Sequence, residues 1–302
     1  MTAPAPTASS LAELVRLPAA LTVVGDTLAG HAAGGGPTTA RRLLLPAASA
    51  GLYLAGMALN DWADRDLDAV ERPERPIPSG RVTPGTALAT GAALTLAGIT
   101  AAGAATGRRG VAVASGIAAG VWAYDTVLKH HPVLGPATMA ACRGLDVLLG
   151  ATTGSLRAAV PAAAGLAAHT AAVTTLSRGE VRGTTPAVAS SVAGATVAGA
   201  LAPVLTARAE PHGSARRATA AAALAYAATC LPGQLRAAAD PTASAVRDAT
   251  RSGLHAMIPL QATWAARAGR PVTALVLGGV AAAGYALRRR ARARGRRQVS
   301  IT

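Results

Sequence analysis

Residues 60–80 read NDWADRDLDAVERPERPIPSG, a dense run of charge in a chain built mainly of Ala, Leu, Val and Gly. Placed at about 100° per residue along a helix, Asn60, Asp64, Asp68 and Glu71 fall within about 80° of one another. Asp61 lies just beside them, and Asp66 points the other way. Carboxylates stacked four residues apart repel, so such an array needs cations to hold it. Oxygen ligands at this density suit Mg²⁺, which takes one or two carboxylates and fills its octahedron with water and phosphate oxygens. Arg65, Arg72, Arg75 and Arg81 flank the acids, and guanidinium forks match phosphate oxygens. The chemistry this arrangement permits is a metal–diphosphate site. The same charges also fit a solvated helix end whose acids and bases pair with each other.

The elements that must position these residues are membrane helices. The chain has 302 residues, 51% hydrophobic and only 14% charged, with a mean hydropathy of +0.35. Soluble domains carry roughly 25% charged residues, so this composition predicts a polytopic protein of the lipid bilayer. Abundant Ala and Gly suit helices that approach closely in lipid. Apolar segments of about 20 residues can span a bilayer. They are expected near 14–33, 43–62, 85–106, 110–128, 133–153, 158–176, 186–207, 217–235 and 271–288. A tenth near 245–268 holds Arg247, Asp248, Arg251, His255 and Gln261, which suits a cavity-facing helix.

The fold class expected is therefore all-α, a bundle of nine or ten transmembrane helices around a central cavity. Loops 60–84, 129–132, 177–185 and 236–244 follow the even-numbered spans and hold the charged or distinctive residues. With the N-terminus inside, these loops and the acidic motif face the cytoplasm. An even span count also keeps the basic stretch Arg288–Arg297 inside, which favours ten. The organisation expected is a tail over 1–13, a membrane domain over 14–288 and a basic tail over 289–302.

A net charge of +15 raises nucleic acid as a partner. The Arg residues, however, cluster between Arg267 and Arg297 and in short loops, as juxtamembrane anchors attracted to anionic lipid do. Phe is absent and aromatic residues make up 2%, which removes the stacking platform that single strands use. No nucleic-acid partner is expected. Cys142 and Cys230 lie far apart within apolar segments and read as packing residues. No basic stretch precedes the first apolar run, so no cleaved signal is expected. Gly34–Gly36 reads as a loop between helices, not as a phosphate cradle.

Arg75-Pro76-Ile77-Pro78-Ser79-Gly80, following the Asn60–Asp64–Asp68 spacing, closely resembles the first signature of the UbiA superfamily of intramembrane prenyltransferases. Fainter likeness continues in Arg16-Leu17-Pro18, in Tyr124-x4-Lys129 and in Arg143-Gly144-Leu145-x3-Leu149-Gly150. The resemblance implies Mg²⁺ as cofactor, a prenyl diphosphate as donor and an aromatic or other lipophilic acceptor. Ionisation of the diphosphate would give an allylic cation that the acceptor captures. Metal-assisted departure of the leaving group and exclusion of water are the physical contributions. By the same resemblance Asp64 and Asp68 are the leading catalytic and Mg²⁺-binding residues, with Asn60 and Asp61 in support. Lys129, Arg72, Arg75 and Arg143 are candidate substrate contacts.

The second acidic motif implied by that resemblance departs from its pattern. The loop reads Ser177-Arg178-Gly179-Glu180-Val181-Arg182, resembling a divergent branch that includes EboC-type members. Glu180 is the one carboxylate left to serve as catalytic and metal residue, and Arg178 is a candidate diphosphate contact. A catalytically impaired binder or carrier of an isoprenoid metabolite is the alternative. Charges within spans are costly and usually face a cavity. Asp26, Asp125 and Asp146 are read either as cavity lining or as internal pairs such as Arg143 with Asp146. His31 and His169 are read as internally paired.

Overall fold

The computed structural model describes residues 6–16, 21–207 and 213–293, and among these it is all-helical without strands. The helices are α1 (Ala8–Leu14), α2 (Leu21–Gly34), α3 (Leu44–Ala63), α4 (Arg65–Glu71), α5 (Pro84–Thr106) and α6 (Arg108–Ala123). They continue as α7 (Leu134–Gly150), α8 (Leu156–Ser177), α9 (Pro186–Leu205), α10 (Ser214–Ala239), α11 (Ala243–Arg267) and α12 (Pro271–Ala293). Local chemistry sets several of these starts. Thr83, Ser155, Thr185 and Thr242 each cap a helix, their hydroxyls accepting a backbone N–H of the first turn. Pro84 and Pro186 stand at the first helical position, where a missing N–H costs nothing.

From α5 to α11 each helix packs on the next, α3 packs on α5, α11 packs back on α2, and α2 packs on α3. Leu45, Leu52, Ala102, Ala114 and Ile117 form the core joining α3, α5 and α6. Leu166, Tyr226, Met257, Leu260 and Trp264 do the same for α8, α10 and α11. Helices α2 and α7 touch backbone to backbone. A Cβ on Gly30 would lie 1.7 Å from the Val147 carbonyl oxygen, and one on Gly150 would lie 2.0 Å from that of Thr27. Only glycine permits that approach, the usual device of helix packing in lipid.

The ten segments expected as spans coincide with ten of these helices. Among the described residues, five stretches are long and apolar enough to cross a membrane: Ala40–Ala63, Pro84–Thr106, Arg108–Leu128, Leu156–Ser177 and Pro186–Leu205. Helix α2 has 14 residues and α7 has 17, while α11 carries the charges already noted, so length and hydropathy stop short of nine or ten. Leu96, Val197 and Leu201 are exposed on α5 and α9, as lipid-facing residues are. The chain is a multi-pass membrane protein. Two expected boundaries shift: α1 occupies part of the stretch read as an N-terminal tail, and α12 runs past residue 288. Leu17, Pro18 and the end of the basic tail, 294–302, lie outside the described residues.

Candidate active site

Helix α3 delivers Asn60 and Asp61 in its last turn, and the backbone leaves helical geometry at Asp64 (φ −91°, ψ 5°) before α4 begins. The bonds Asp64 N–H to Asn60 O (2.9 Å) and Asp68 N–H to Asp64 O (2.8 Å) carry the four-residue register across this break. The single helical face expected from spacing is thus interrupted, and Glu71 stands exposed at the end of α4. Asp64 there meets Lys129, while Asp61 and Asp68 meet Arg16, Arg72 and a shared Arg75, which offsets the repulsion between stacked carboxylates.

Residues 76–82 form the next layer. Ser79 N–H and Gly80 N–H donate to Arg75 O and Ile77 O, both at 3.0 Å, and Gly80 takes φ +73°. This turn buries Ile77 and Val82 against Leu14, Val15, Ala58 and Ala87. It thereby presents Arg75 to the acids. Arg75 donates to Asp68 at 2.6 Å and to Asp61 at 3.2 Å, and Arg16 donates to Asp61 at 3.2 Å. Asp61 and Asp68 are only 3% and 2% exposed. Asp61 therefore anchors two guanidiniums, and Asp68 pairs with Arg75 and, more distantly, with Arg72 at 3.8 Å.

Helix α6 ends in a π-helical turn, Tyr124–Leu128, closed by Lys129 N–H to Tyr124 O at 2.9 Å. Such turns re-aim side chains and recur at functional sites. Here Lys129 pairs with Asp64, and Asp125 accepts from Asn60 Nδ2 at 3.4 Å. Asn60 also donates to Asp64 at 3.2 Å. Just beyond Lys129, His131 Nδ1 accepts the N–H groups of Val133 and Leu134 at the start of α7.

Below Asn60 and Asp125 lies a cavity of about 240 Å³ between α2, α3, α6 and α7. Its walls include Leu52, Tyr53, Met57, Ile117, Val121 and Tyr124, and its far end is Ser49, Arg143 and Asp146. Asn60 and Ser49 lie eleven residues apart on α3, so the cavity runs about 16 Å along the helix. It is bounded by the N-terminal half of the bundle rather than by the whole ring. Arg143 pairs with Asp26 instead of Asp146, which accepts from Ser49 Oγ at 2.7 Å. That corrects the expected Arg143–Asp146 pair. His169 is internally paired, taking the Tyr226 hydroxyl on Nδ1 (2.8 Å) and donating from Nε2 to Gly253 O (3.0 Å). His31 likewise contacts Arg42 and Thr153.

The 177–185 loop approaches the same end of the bundle. Arg247 donates to Glu180 O at 2.6 Å. Burial pushes the Glu180 carboxyl above its usual range, against the opposing charges of Arg247, Arg251 and Arg72. Arg72, paired with Asp68 at 3.8 Å, also exerts its charge on Glu180. Arg178 is exposed, and its charge acts on Tyr124 of the cavity wall.

Of the five residues expected as metal ligands, Asn60 lines the cavity and hydrogen-bonds Asp64, Asp61 and Asp68 are both buried in salt bridges with Arg16, Arg72 and Arg75, and Glu180 lies in the 177–185 loop, within reach of the charge of Arg72. Among the described residues no three carboxylate, imidazole or thiol groups converge as a preformed cage. The donor set still fits Mg²⁺, which needs only one or two protein carboxylates when phosphates and water complete its shell. Arg16 as a partner of Asp61, and the cavity wall of Ser49, Tyr53 and Met139, were not anticipated. The stripe Ser49, Tyr53, Gly56, Asn60 at three- and four-residue steps was the available signal for that wall.

The chain is similar to known proteins in sequence and in fold. The chain is 34% identical over 134 residues to the digeranylgeranylglyceryl phosphate synthase of Methanopyrus kandleri, covering 44% of this chain and 46% of that one. It is 36% identical over 163 residues to the enzyme of that name from Halobacterium salinarum, covering 53% and 55%. The chain thus spans about half the length of the curated relatives it matches. In fold it is similar to a UbiA homolog from Archaeoglobus fulgidus solved with GPP and Mg²⁺. That match has a TM-score of 0.61 and 17% identity, and covers 80% of this chain and 99% of that one. The model of the UbiA prenyltransferase family matches residues 19–251, most of the chain, and the chain belongs to that family.

Proposed function

We propose that this protein transfers a prenyl group from a prenyl diphosphate to a lipophilic acceptor, with Mg²⁺ as cofactor, and that it resides in the cell membrane with the acidic motif on the cytoplasmic side. The observation that carries this reading is the juxtaposition at the cavity mouth. Asn60, on the wall of the apolar-walled cavity, hydrogen-bonds Asp64, which pairs with Lys129, and Asp68 follows one turn on, paired with Arg72 and Arg75. Mg²⁺ held by Asn60, Asp64 and Asp68, with Glu180 facing them, would neutralise charge on the departing diphosphate. Lys129 and Arg72 would shift from their carboxylates onto phosphate oxygens. Arg178 would add positive charge from the far rim, while Arg75, held by Asp61, keeps Asp68 in place. Arg143, at the inner end, would meet the substrate's far end rather than its diphosphate.

In the reaction the C–O bond to diphosphate breaks with its electron pair leaving on oxygen, and the allylic carbon bonds to the acceptor. Tyr53, Met57 and Tyr124 exclude water from the developing cation. Asp125 is the carboxylate on that wall able to take the proton the acceptor loses. The relatives' names favour a hydroxyl-bearing glycerophosphate lipid over an aromatic ring as acceptor. The alternative, a binder without turnover, is motivated by Glu180 as the single carboxylate of its loop. To separate them, purified protein in lipid is given geranylgeranyl diphosphate, Mg²⁺ and either glycerophosphate-lipid or aromatic acceptors, with products read by mass spectrometry. A prenylated product supports transfer. Tight binding with no product from any acceptor supports the binder instead.

A further inference from the structure

The end of the bundle opposite the acidic segment is strongly basic. Helix α3 has 20 residues, so the two ends lie about 30 Å apart. The connections at this end, 35–43, 107, 151–155, 206–213 and 268–270, and the helix turns flanking them carry several arginines. Among the described residues they hold no carboxylate. A second cavity, of about 450 Å³, opens here. Arg157 in the first turn of α8, Thr206 after α9, Arg267 at the end of α11 and Arg270 before α12 help to line it. Arg267 is held in place, its Nε donating to Thr206 Oγ1 at 2.9 Å and its guanidinium lying over the Trp264 ring. Arg157 and Arg270 are exposed, and among the described residues their guanidiniums form no ion pair or hydrogen bond. Arg42 brings further positive charge close by, since it contacts His31, on which the charge of Arg270 also acts.

We infer that this cavity binds the phosphate of an anionic glycerophospholipid, held by Arg157 and Arg270. Guanidinium forks match phosphate oxygens, and an anion between these like charges offsets their repulsion. The position favours a lipid over a free anion. The ends of membrane helices lie at the depth of the headgroups, where basic pockets between helices take lipid phosphates. Apolar surface for the acyl chains begins beside the cavity. Exposed Val160 precedes the lining residue Pro161 on α8, and exposed Leu205 precedes Thr206, with Leu201 one turn further along α9. The site stands apart from the acidic segment, so it depends neither on the prenyl-diphosphate reading nor on which leaflet this end faces.

Native mass spectrometry of the full chain released from detergent tests this. The probes are dioctanoyl phosphatidylglycerol, dioctanoyl phosphatidylcholine and inorganic phosphate. The anionic lipid is expected to bind roughly tenfold tighter than the zwitterionic one. Arg157→Gln combined with Arg270→Gln should weaken the anionic lipid about tenfold, and each single variant about threefold. Arg108→Gln combined with Arg109→Gln removes the same charge from the same end without touching the cavity lining, and should change binding by less than about twofold. Loss confined to the cavity variants, with every protein eluting as folded, supports the site. Should the double cavity variant not fold, the two single variants decide in its place. Equal loss in both double variants would reduce the effect to general charge and overturn the cavity. Equal affinity for the two lipids, or anionic-lipid binding unchanged in the cavity variants, would overturn it as well. Inorganic phosphate that binds as tightly as the anionic lipid and displaces it would overturn the lipid as occupant in favour of a free anion.

Discussion

Arg75 offers a direct probe of how the acidic segment is held. Its guanidinium bridges Asp68 at 2.6 Å and Asp61 at 3.2 Å, both nearly inaccessible to solvent. Removing one partner of a buried pair costs about 3–5 kcal/mol, because the remaining charge stays buried. Here each carboxylate keeps a second cation, Arg16 at 3.2 Å for Asp61 and Arg72 at 3.8 Å for Asp68. The low end of that range, about 3 kcal/mol, is therefore expected for Arg75→Ala. At about 2–4 °C per kcal/mol for a chain of this class, the melting temperature should fall by about 6–12 °C. The assay is thermal unfolding in detergent, followed by size-exclusion of the remaining folded fraction. Neutralising a carboxylate at the same time, as in Asp61→Asn with Arg75→Ala, should recover part of the loss. A fall of less than about 2 °C in the single variant would refute the claim that Arg75 holds the two acids together.

Lys129→Met removes the cation paired with Asp64 and should weaken binding of a prenyl diphosphate roughly ten- to hundredfold in calorimetry, with little change in folded yield. Gly30→Leu places side-chain atoms where the Val147 carbonyl oxygen already sits. It should cost more than about 3 kcal/mol through overpacking, read as loss of the monodisperse peak on size-exclusion. The Glu13–Arg81 pair ties α1 to the turn after Gly80, and the bond from Arg81 holds the Glu13 carboxyl below its ordinary 4.5. A lowered acid stabilises the fold above its unfolded value and loses that contribution as pH falls through the folded one. Arg81→Ala should thus melt slightly below the parent at pH 7, by the small amount typical of an exposed pair. The difference should shrink as pH falls below the ordinary 4.5 and vanish once the Glu13 carboxyl is protonated in the folded state.

The segment 60–80 was legible because charge in an apolar chain is rare and its four-residue spacing survives in the fold. What spacing could not convey was the break at Asp64, which depends on Lys129 and Arg75 arriving from elsewhere to claim separate carboxylates. Arg75 was legible as a guanidinium near phosphate, but its role as a bridge depends on the 76–82 turn folding back under α1. Lys129 reaches Asp64 through a π-turn, a slip of one residue that periodicity does not reveal. The Arg143–Asp26 pair joins residues 117 apart in sequence, so nearer Asp146 was the natural expectation. Helices α2 and α7 lie where apolar runs placed them, and both carry charge inside the bundle, Asp26 on α2 and Arg143 and Asp146 on α7, which lowers their hydropathy. Gly30 and Gly150 let α2 and α7, both of which contribute to the cavity wall, meet backbone to backbone.

The most direct measurement of prenyl transfer through the Asn60–Asp68 segment is diphosphate release from geranylgeranyl diphosphate by protein in lipid, with and without Mg²⁺. Release should require Mg²⁺ and acceptor in the parent chain and should disappear in both Asp64→Ala and Asp68→Ala, while all three proteins elute as folded. Undiminished, Mg²⁺-dependent release in the two variants would contradict the site, and no release from the parent chain under any acceptor would contradict catalysis itself.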